Sequence, residues 1–161
     1  MPLSRHFKQD VSIVLAGEAG QGIQTIETIL ARILKHAGMN VFCTKEYMSR
    51  VRGGSNSTEI RVSSLPVAAF VDRIDLCVPL DEKALRHLGS RVTETTLIMG
   101  EPQILKTSQE ILEVPFSKLA LELGNPIFSN TLAVGFLAGL FQIKKEAVFE
   151  VLTQTFSKKG E

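Results

Sequence analysis

The chain has 161 residues, of which 44% are hydrophobic, so it can bury one sizeable core but is too short for two ordinary domains. Its 18 basic and 17 acidic residues leave a net charge of +1, which excludes a global field for nucleic acid or an anionic membrane. The N-terminus lacks a signal-peptide apolar run and no clean membrane span follows, so we expect a cytoplasmic protein. We expect residues 1–156 to form one domain and residues 157–161 to be a tail or the start of a linker.

The first predicted unit is a strand, a glycine-rich loop, a helix and a second strand. Residues 11–16 form an apolar run typical of a buried strand, and three glycines follow within residues 17–22. Apolar residues then recur at helical spacing over residues 23–37, and Gly38 provides a natural stop. Residues 41–45 are typical of the second strand, and the unit has the length of a right-handed parallel crossover.

The middle of the chain predicts a β-hairpin after a basic loop at residues 47–55. Thr58, Ile60 and Val62 alternate with polar residues, as in a strand with two unlike faces. Leu65 and Pro66 look like a turn, and residues 67–71 are apolar enough to return antiparallel to that strand.

Parallel winding is predicted to resume in the second half of the chain. Short strands are expected at residues 75–80, 95–99 and 111–114, and helices at residues 81–85 onward, 117–123, 130–141 and 144–155. The whole pattern predicts an α/β fold with three layers, in which a mainly parallel wound sheet carries an added β-hairpin.

The loop after the first strand is the first candidate binding site. Its residues Gly17, Gly20, Gln21 and Gly22 lie where bare backbone amides and a helix N-terminus can approach an anion. The spacing is neither the dinucleotide fingerprint nor a P-loop, and no acidic residue clearly ends the second strand, although Glu46 lies near the right place. The loop therefore either binds an anion or only allows a tight turn and close packing.

The basic loop is the second candidate, because forked arginine donors and uncovered backbone amides suit a phosphate or a carboxylate. The alternative is a solvated arginine pair, or an ion pair with Glu46 or Glu59. The candidate residues are Arg50, Arg52, Gly53, Gly54 and Asn56.

A third polar segment opens the apolar helix near residue 130. We expect Ser129 or Asn130 to cap this helix, with a ligand role for Asn130 as a minor hypothesis. No nucleophile–base constellation and no metal-ligand spacing is visible, since Cys43 and Cys77 are separate and both lie in apolar runs. We therefore assign no catalytic residue and no metal ligand to the chain.

Four segments together, residues 13–23, 45–61, 71–76 and 129–135, resemble one enzyme family over almost the whole chain. The sequence is similar to the gamma subunit, or the gamma-type N-terminal domain of the alpha subunit, of 2-oxoacid:ferredoxin oxidoreductases. The segment from Glu46 to Gly54 looks closest to the 2-oxoglutarate or broad 2-oxoacid type.

This resemblance implies oxidative decarboxylation of a 2-oxoacid, such as pyruvate or 2-oxoglutarate, with coenzyme A and ferredoxin in a multi-subunit complex. Thiamine diphosphate, magnesium and iron–sulfur clusters are then expected on other subunits or domains, so the isolated chain should be inactive. The two loops would face coenzyme A or the partner subunits that bind the 2-oxoacid and thiamine diphosphate. Three alternatives remain: an anion- or nucleotide-binding module, a purely structural assembly domain, and the related subunit of an indolepyruvate-type oxidoreductase.

Overall fold

Six strands form one mixed sheet in the computed structural model, which describes residues 9–18, 20–47 and 55–157. The strand order is β2-β3-β1-β4-β5-β6. Among these strands β3 alone is antiparallel to its neighbours, so five of the six run in the same direction. The strands are β1 (Asp10–Gly17), β2 (Asn40–Glu46), β3 (Asn56–Ser63), β4 (Leu76–Pro79), β5 (Leu97–Gly100) and β6 (Ile111–Glu113).

Helices cover both faces of this sheet, which confirms the predicted three-layer α/β fold. The α-helices are α1 (Ile23–His36), α2 (Glu82–Leu88), α3 (Pro102–Leu105), α4 (Phe116–Glu122), α5 (Ser129–Leu140) and α6 (Lys145–Phe156). Side chains of α1, α4, α5 and α6 share the larger apolar cluster, and those of α2 and α3 share a smaller cluster. None of the helices within the described ranges is long and apolar enough to cross a membrane.

The central strand β1 is apolar without interruption at residues 13–16 because both of its faces are covered. Ile13 and Leu15 belong to the larger cluster, whereas Val14 and Ala16 belong to the smaller one. On α1, the fully buried Ile26, Leu30 and Ile33 form the stripe that packs on the sheet.

The first crossover differs from the expectation because β3 lies between β1 and β2. The strands β1 and β2 run in the same direction, as a crossover requires, but each pairs with β3 and not with the other. Both edges of β3 are therefore occupied by the two strands that precede it in the sequence.

The predicted hairpin of residues 56–71 is wrong for the same reason. Residues 67–71 contain no strand, because β3 has no free edge left to pair with them. They form an irregular segment, tied down where the Arg61 guanidinium donates to the carbonyl oxygen of Ala69 at 3.0 Å. The antiparallel neighbours of β3 are β1 and β2.

An ion-pair cluster fixes the end of the sheet where β1 starts and β3 ends. Arg61 donates two hydrogen bonds to the Asp10 carboxylate, at 2.9 and 2.8 Å, across the β1–β3 ladder. Arg73 is ion-paired with Asp75 at 2.8 Å, and Asp75 accepts a hydrogen bond from the Ser12 amide at 2.8 Å. This cluster joins β1, β3 and the segment that enters β4.

The Asp10 cluster makes a prediction about acid stability. The hydrogen bond from Arg61 lowers the pKa of Asp10 below its usual 3.8; burial opposes this shift, while the charges of Arg61 and Arg73 add to it. A carboxyl pKa that is lower in the folded state stabilises the fold above the unfolded pKa, and this contribution disappears as the pH falls through the folded pKa. The free energy of unfolding, measured with urea across pH, should therefore fall for Asp10→Asn at neutral pH and converge with wild type below pH 3.8. A difference that is constant down to the most acidic pH would contradict this.

Candidate functional site

A crevice of about 230 Å³ opens at the edge of the sheet where β4 and β5 end. The helix after β1 packs on one face of the sheet and the helix after β4 packs on the other, so the chain changes direction between these neighbouring strands. Such switch points are where wound α/β sheets bind ligands. The polar residues of the lining are Gln21, Glu101, Ser117, Ser129 and Asn130, and the apolar ones include Leu80, Ile104, Phe116 and Pro126.

The glycine loop at the end of β1 has a backbone that requires glycine at two positions. Gly20 and Gly22 have φ angles of 96° and 86°, in the left-handed region that residues with a Cβ atom rarely adopt. Gly22 is the N-cap of α1, whose first turn has neither an acidic residue nor a side-chain cap. The tight-turn interpretation therefore holds for both glycines, and it leaves a helix N-terminus with no carboxylate of its own in the first turn.

A side chain of the loop itself and one from the start of α2 hold this loop in place. The amide of Glu18 donates to Gln21 Oε1 at 2.8 Å and to Asp81 Oδ2 at 3.1 Å. Asp81 also caps α2, since its Oδ1 accepts from the Ala84 amide at 2.7 Å. A Cβ atom on Gly17 would overlap Gln21 Oε1, so this glycine lets the Gln21 side chain fold back over the strand end.

Asn130 lies directly against Gly22, and its role differs from the cap that we expected. The helix α5 begins at Ser129, so Ser129 and Asn130 belong to its first turn and neither caps it. Asn125 instead caps the preceding 3-10 turn, accepting from the Ile127 amide at 3.0 Å. The Asn130 side chain forms no hydrogen bond with another described residue, which leaves its amide available at the wall of the crevice.

Glu101 is a crevice residue that the sequence analysis did not identify. It is 9% exposed, and its Oε1 accepts hydrogen bonds from the Ser117 amide at 2.8 Å and the Ser117 hydroxyl at 2.7 Å. The sequence feature that could have identified Glu101 is its position directly after the apolar strand β5, at the edge where parallel strands end together. Its negative charge disfavours a phosphate in that part of the crevice.

The structure describes only the two ends of the basic loop at residues 47–55, here called the arginine loop. The candidate residues Arg50, Arg52, Gly53 and Gly54 lie outside the described residues. Glu46 ends β2 and pairs with Ser57, and Asn56 begins β3 and pairs with Gly17. Both described ends of the loop are therefore at the same edge of the sheet as Gly17. Glu46 is separated from β1 by β3, so it does not occupy the acidic position of a dinucleotide site.

Both cysteine thiols have raised pKa values. Burial, reinforced by the negative charge of Glu27, raises the pKa of Cys43 to about 11, and burial raises the pKa of Cys77 to about 12. In the described part of the chain no three His, Cys, Asp or Glu side chains are grouped to hold a metal ion.

A wound sheet with a glycine loop and a polar crevice at its switch point is an arrangement in which α/β domains bind ligands. Residues 12–161 match the family described as pyruvate ferredoxin/flavodoxin oxidoreductase, and the chain belongs to this family. This match confirms the resemblance that the four sequence segments indicated.

Three similar proteins are a subunit of, or a complete, 2-oxoacid oxidoreductase. The 2-oxoglutarate synthase subunit KorC of Archaeoglobus fulgidus is 29% identical over 155 residues, which cover 95% of this chain and 82% of that subunit. The 2-oxoglutarate:ferredoxin oxidoreductase of Magnetococcus marinus, solved with 2-oxoglutarate, coenzyme A and succinyl-CoA bound, is 27% identical with a TM-score of 0.80. That match covers 96% of this chain but 28% of the longer one. The gamma subunit of a keto/oxoacid ferredoxin oxidoreductase from Geobacter sulfurreducens shares the fold at 17% identity, with a TM-score of 0.72 and coverage of 92% and 90%.

The contact between Gly22 and Asn130 can be tested against a matched control. Gly20→Ala meets no described heavy atom within 4 Å, so it should cost about 1–2 kcal/mol from the left-handed backbone alone. Gly22→Ala should cost more, because its Cβ atom would also overlap the Asn130 amide. Chemical unfolding of both variants measures the difference, and adding Asn130→Ala to Gly22→Ala should recover the excess. Equal losses with no coupling to Asn130 would show that the contact is unimportant.

Proposed function

We propose that the chain is the gamma-type subunit or domain of a 2-oxoacid oxidoreductase complex, and that it contacts coenzyme A with its two loops. The observation that carries this proposal is the glycine loop, which presents an uncapped helix N-terminus beside the unpaired Asn130 amide at the edge where the arginine loop begins and ends. Coenzyme A bound to the Magnetococcus relative supports this choice of ligand.

Coenzyme A brings phosphates, and this edge of the sheet offers three kinds of donor to them. Backbone amides near Gly20 and Gly22 lie at the positive end of α1. Gln21 and Asn56 carry side-chain amides at the same edge. The sequence between β2 and β3 includes Arg50 and Arg52, which would add forked positive donors. Because Glu101 makes the far part of the crevice negative, we assign the phosphates to the loop side.

We assign the redox chemistry to other subunits or domains. Thiamine diphosphate and magnesium would supply decarboxylation there, and iron–sulfur clusters would pass electrons to ferredoxin. The two thiols of this chain do not fit a cluster, since Cys43 on β2 and Cys77 on β4 are separated by two strands and one isolated pair cannot supply four thiolates. The similarity to KorC supports 2-oxoglutarate as the 2-oxoacid.

Replacing Arg52 by alanine in the complete complex tests the ligand role. The Michaelis constant for coenzyme A should rise roughly tenfold or more, since a charge-assisted contact contributes about 1.5–3 kcal/mol. The constant for the 2-oxoacid should change little. Arg86→Ala is the control, because Arg86 is 70% exposed on α2 and pairs with Glu82. An unchanged coenzyme A constant in an intact complex would refute the ligand role, and a complex that dissociates would favour an assembly role.

The isolated chain should show no oxidoreductase turnover and should bind neither iron nor thiamine diphosphate tightly. The reason is that its two cysteines lie on different strands and that no thiamine-binding segment is recognisable in the sequence. Metal analysis and calorimetric titration of purified protein check both points. Stoichiometric iron with acid-labile sulfide would contradict the proposal.

The competing enzyme assignment is the indolepyruvate-type oxidoreductase. Subunit IorB of an indolepyruvate oxidoreductase is 24% identical to this chain over 175 residues, so activity of the assembled complex with 2-oxoglutarate, pyruvate and indolepyruvate decides between the two. A preference for indolepyruvate would overturn the choice of 2-oxoglutarate but would leave the gamma-type assignment intact.

A further inference from the structure

A second cavity of about 230 Å³ lies over β2 and β3, and none of its lining residues belongs to the glycine loop. Thr44 and Glu59, which pair across β2 and β3, both line it. Ile60, next to Glu59, belongs to the cluster under α1, so Glu59 points to the opposite face of the sheet. The other lining residues are Lys45, Glu46, Phe70, Asp72 and Arg91.

Glu59 is a buried carboxylate in which one oxygen atom has a bonding partner and the other has none. The residue is 8% exposed, and its Oε1 lies 2.7 Å from Nη1 of Arg91. Its Oε2 is also buried and has no hydrogen-bond partner among the described residues. An incompletely paired buried charge is costly, so this oxygen indicates a missing donor.

The charges around the cavity also indicate a missing cation, because carboxylates outnumber the cationic groups that pair with them. Arg91 also pairs with Asp72 at 3.0 Å, so one guanidinium serves two carboxylates. Glu46 adds a third carboxylate, which accepts a hydrogen bond from the Ser57 hydroxyl at 3.5 Å and lies 3.9 Å from the His87 imidazole. The ammonium of Lys45 does not compensate, since it pairs with Glu27 of α1 at 2.9 Å. The described cavity therefore has an excess of negative charge that a further cation would complement.

The cavity also has an aromatic side chain in its wall and lies at the edge of the sheet. Phe70 is 55% exposed and gives the cavity an aromatic wall, over which a guanidinium can stack. The strand β2 is the last strand at this end of the sheet, so another polypeptide can approach the cavity from the side.

We propose that this cavity receives an arginine side chain from a partner subunit of the complex. Arginine fits better than lysine because its planar fork can bond two carboxylates at once while one face lies on an aromatic ring. The inference rests on the proposed function in one respect, which is that the chain works within a multi-subunit assembly. The cavity lies beside the end of β2 that leads into the arginine loop, and we assign it a role in assembly.

Charge reversal at the cavity mouth is the first test. The Asp72 and Glu46 side chains are 86% and 58% exposed, so Asp72→Lys and Glu46→Lys should leave folding unchanged, as thermal unfolding would check. Titration of the purified chain with the remaining subunits should give dissociation constants at least tenfold higher for each variant. Glu122→Lys, at an exposed position on α4, is the control and should bind as wild type does.

Photo-crosslinking from the aromatic wall is the second test. Phe70→p-benzoylphenylalanine keeps an aromatic ring, and illumination of the assembled complex should join it to a peptide of another subunit that contains an arginine. The same substitution at Phe149, which is 65% exposed on α6, is the control. A crosslink to residues 48–54 of the same chain, or no crosslink between subunits, would overturn the proposal.

Failure of the proposed function and failure of the arginine site would give different results. If the wild-type chain forms no complex with the remaining subunits, the proposed function itself is wrong. If the complex forms and both charge reversals bind within twofold of wild type, only the arginine site is wrong.

Discussion

The pairing of β3 between β1 and β2 is the constraint on which the rest of the structure depends. Eight consecutive residues of β3 pair with β1, from Asp10 opposite Ser63 to Gly17 opposite Asn56. Because this ladder runs the full length of both strands, it brings the start of β3 to the edge where the glycine loop leaves β1. It also occupies the edge of β1 that a direct parallel neighbour would have taken.

The two faces of β3 then serve different purposes. Ile60 and Val62 are buried under α1 and extend the larger apolar cluster. On the other face, Glu59 and Arg61 meet charged partners, Arg91 and Asp10. A strand with two unlike faces can therefore join the core on one side and present an ionic surface on the other. That ionic surface is the one to which we assign a partner subunit, while the loops at the strand ends remain for a small ligand.

The crevice at the switch point lies between the glycine loop and a fixed carboxylate. The loop residues Gly20 and Gly22 have no side chain that could cover the first amides of α1, and Asp81 holds the loop through the amide of Glu18. Ser117 holds Glu101 in place through two hydrogen bonds, so the negative end of the crevice is as well defined as its positive end. This polarity would orient an anionic ligand with its charged part toward the loop.

The sequence alone determined the fold class, most elements and the family, because apolar periodicity and glycine position are local signals that burial enforces. The glycine loop could be found in this way, since a strand end followed by closely spaced glycines is visible in the sequence. The strands that pair with β3 could not be predicted from the sequence, because pairing depends on which strand edges are free. Residues 67–71 are apolar enough that they were wrongly predicted to pair with it. Gln21, Glu101 and Asn130 line one crevice although they are far apart in the chain, so only the tertiary structure decided that they belong together.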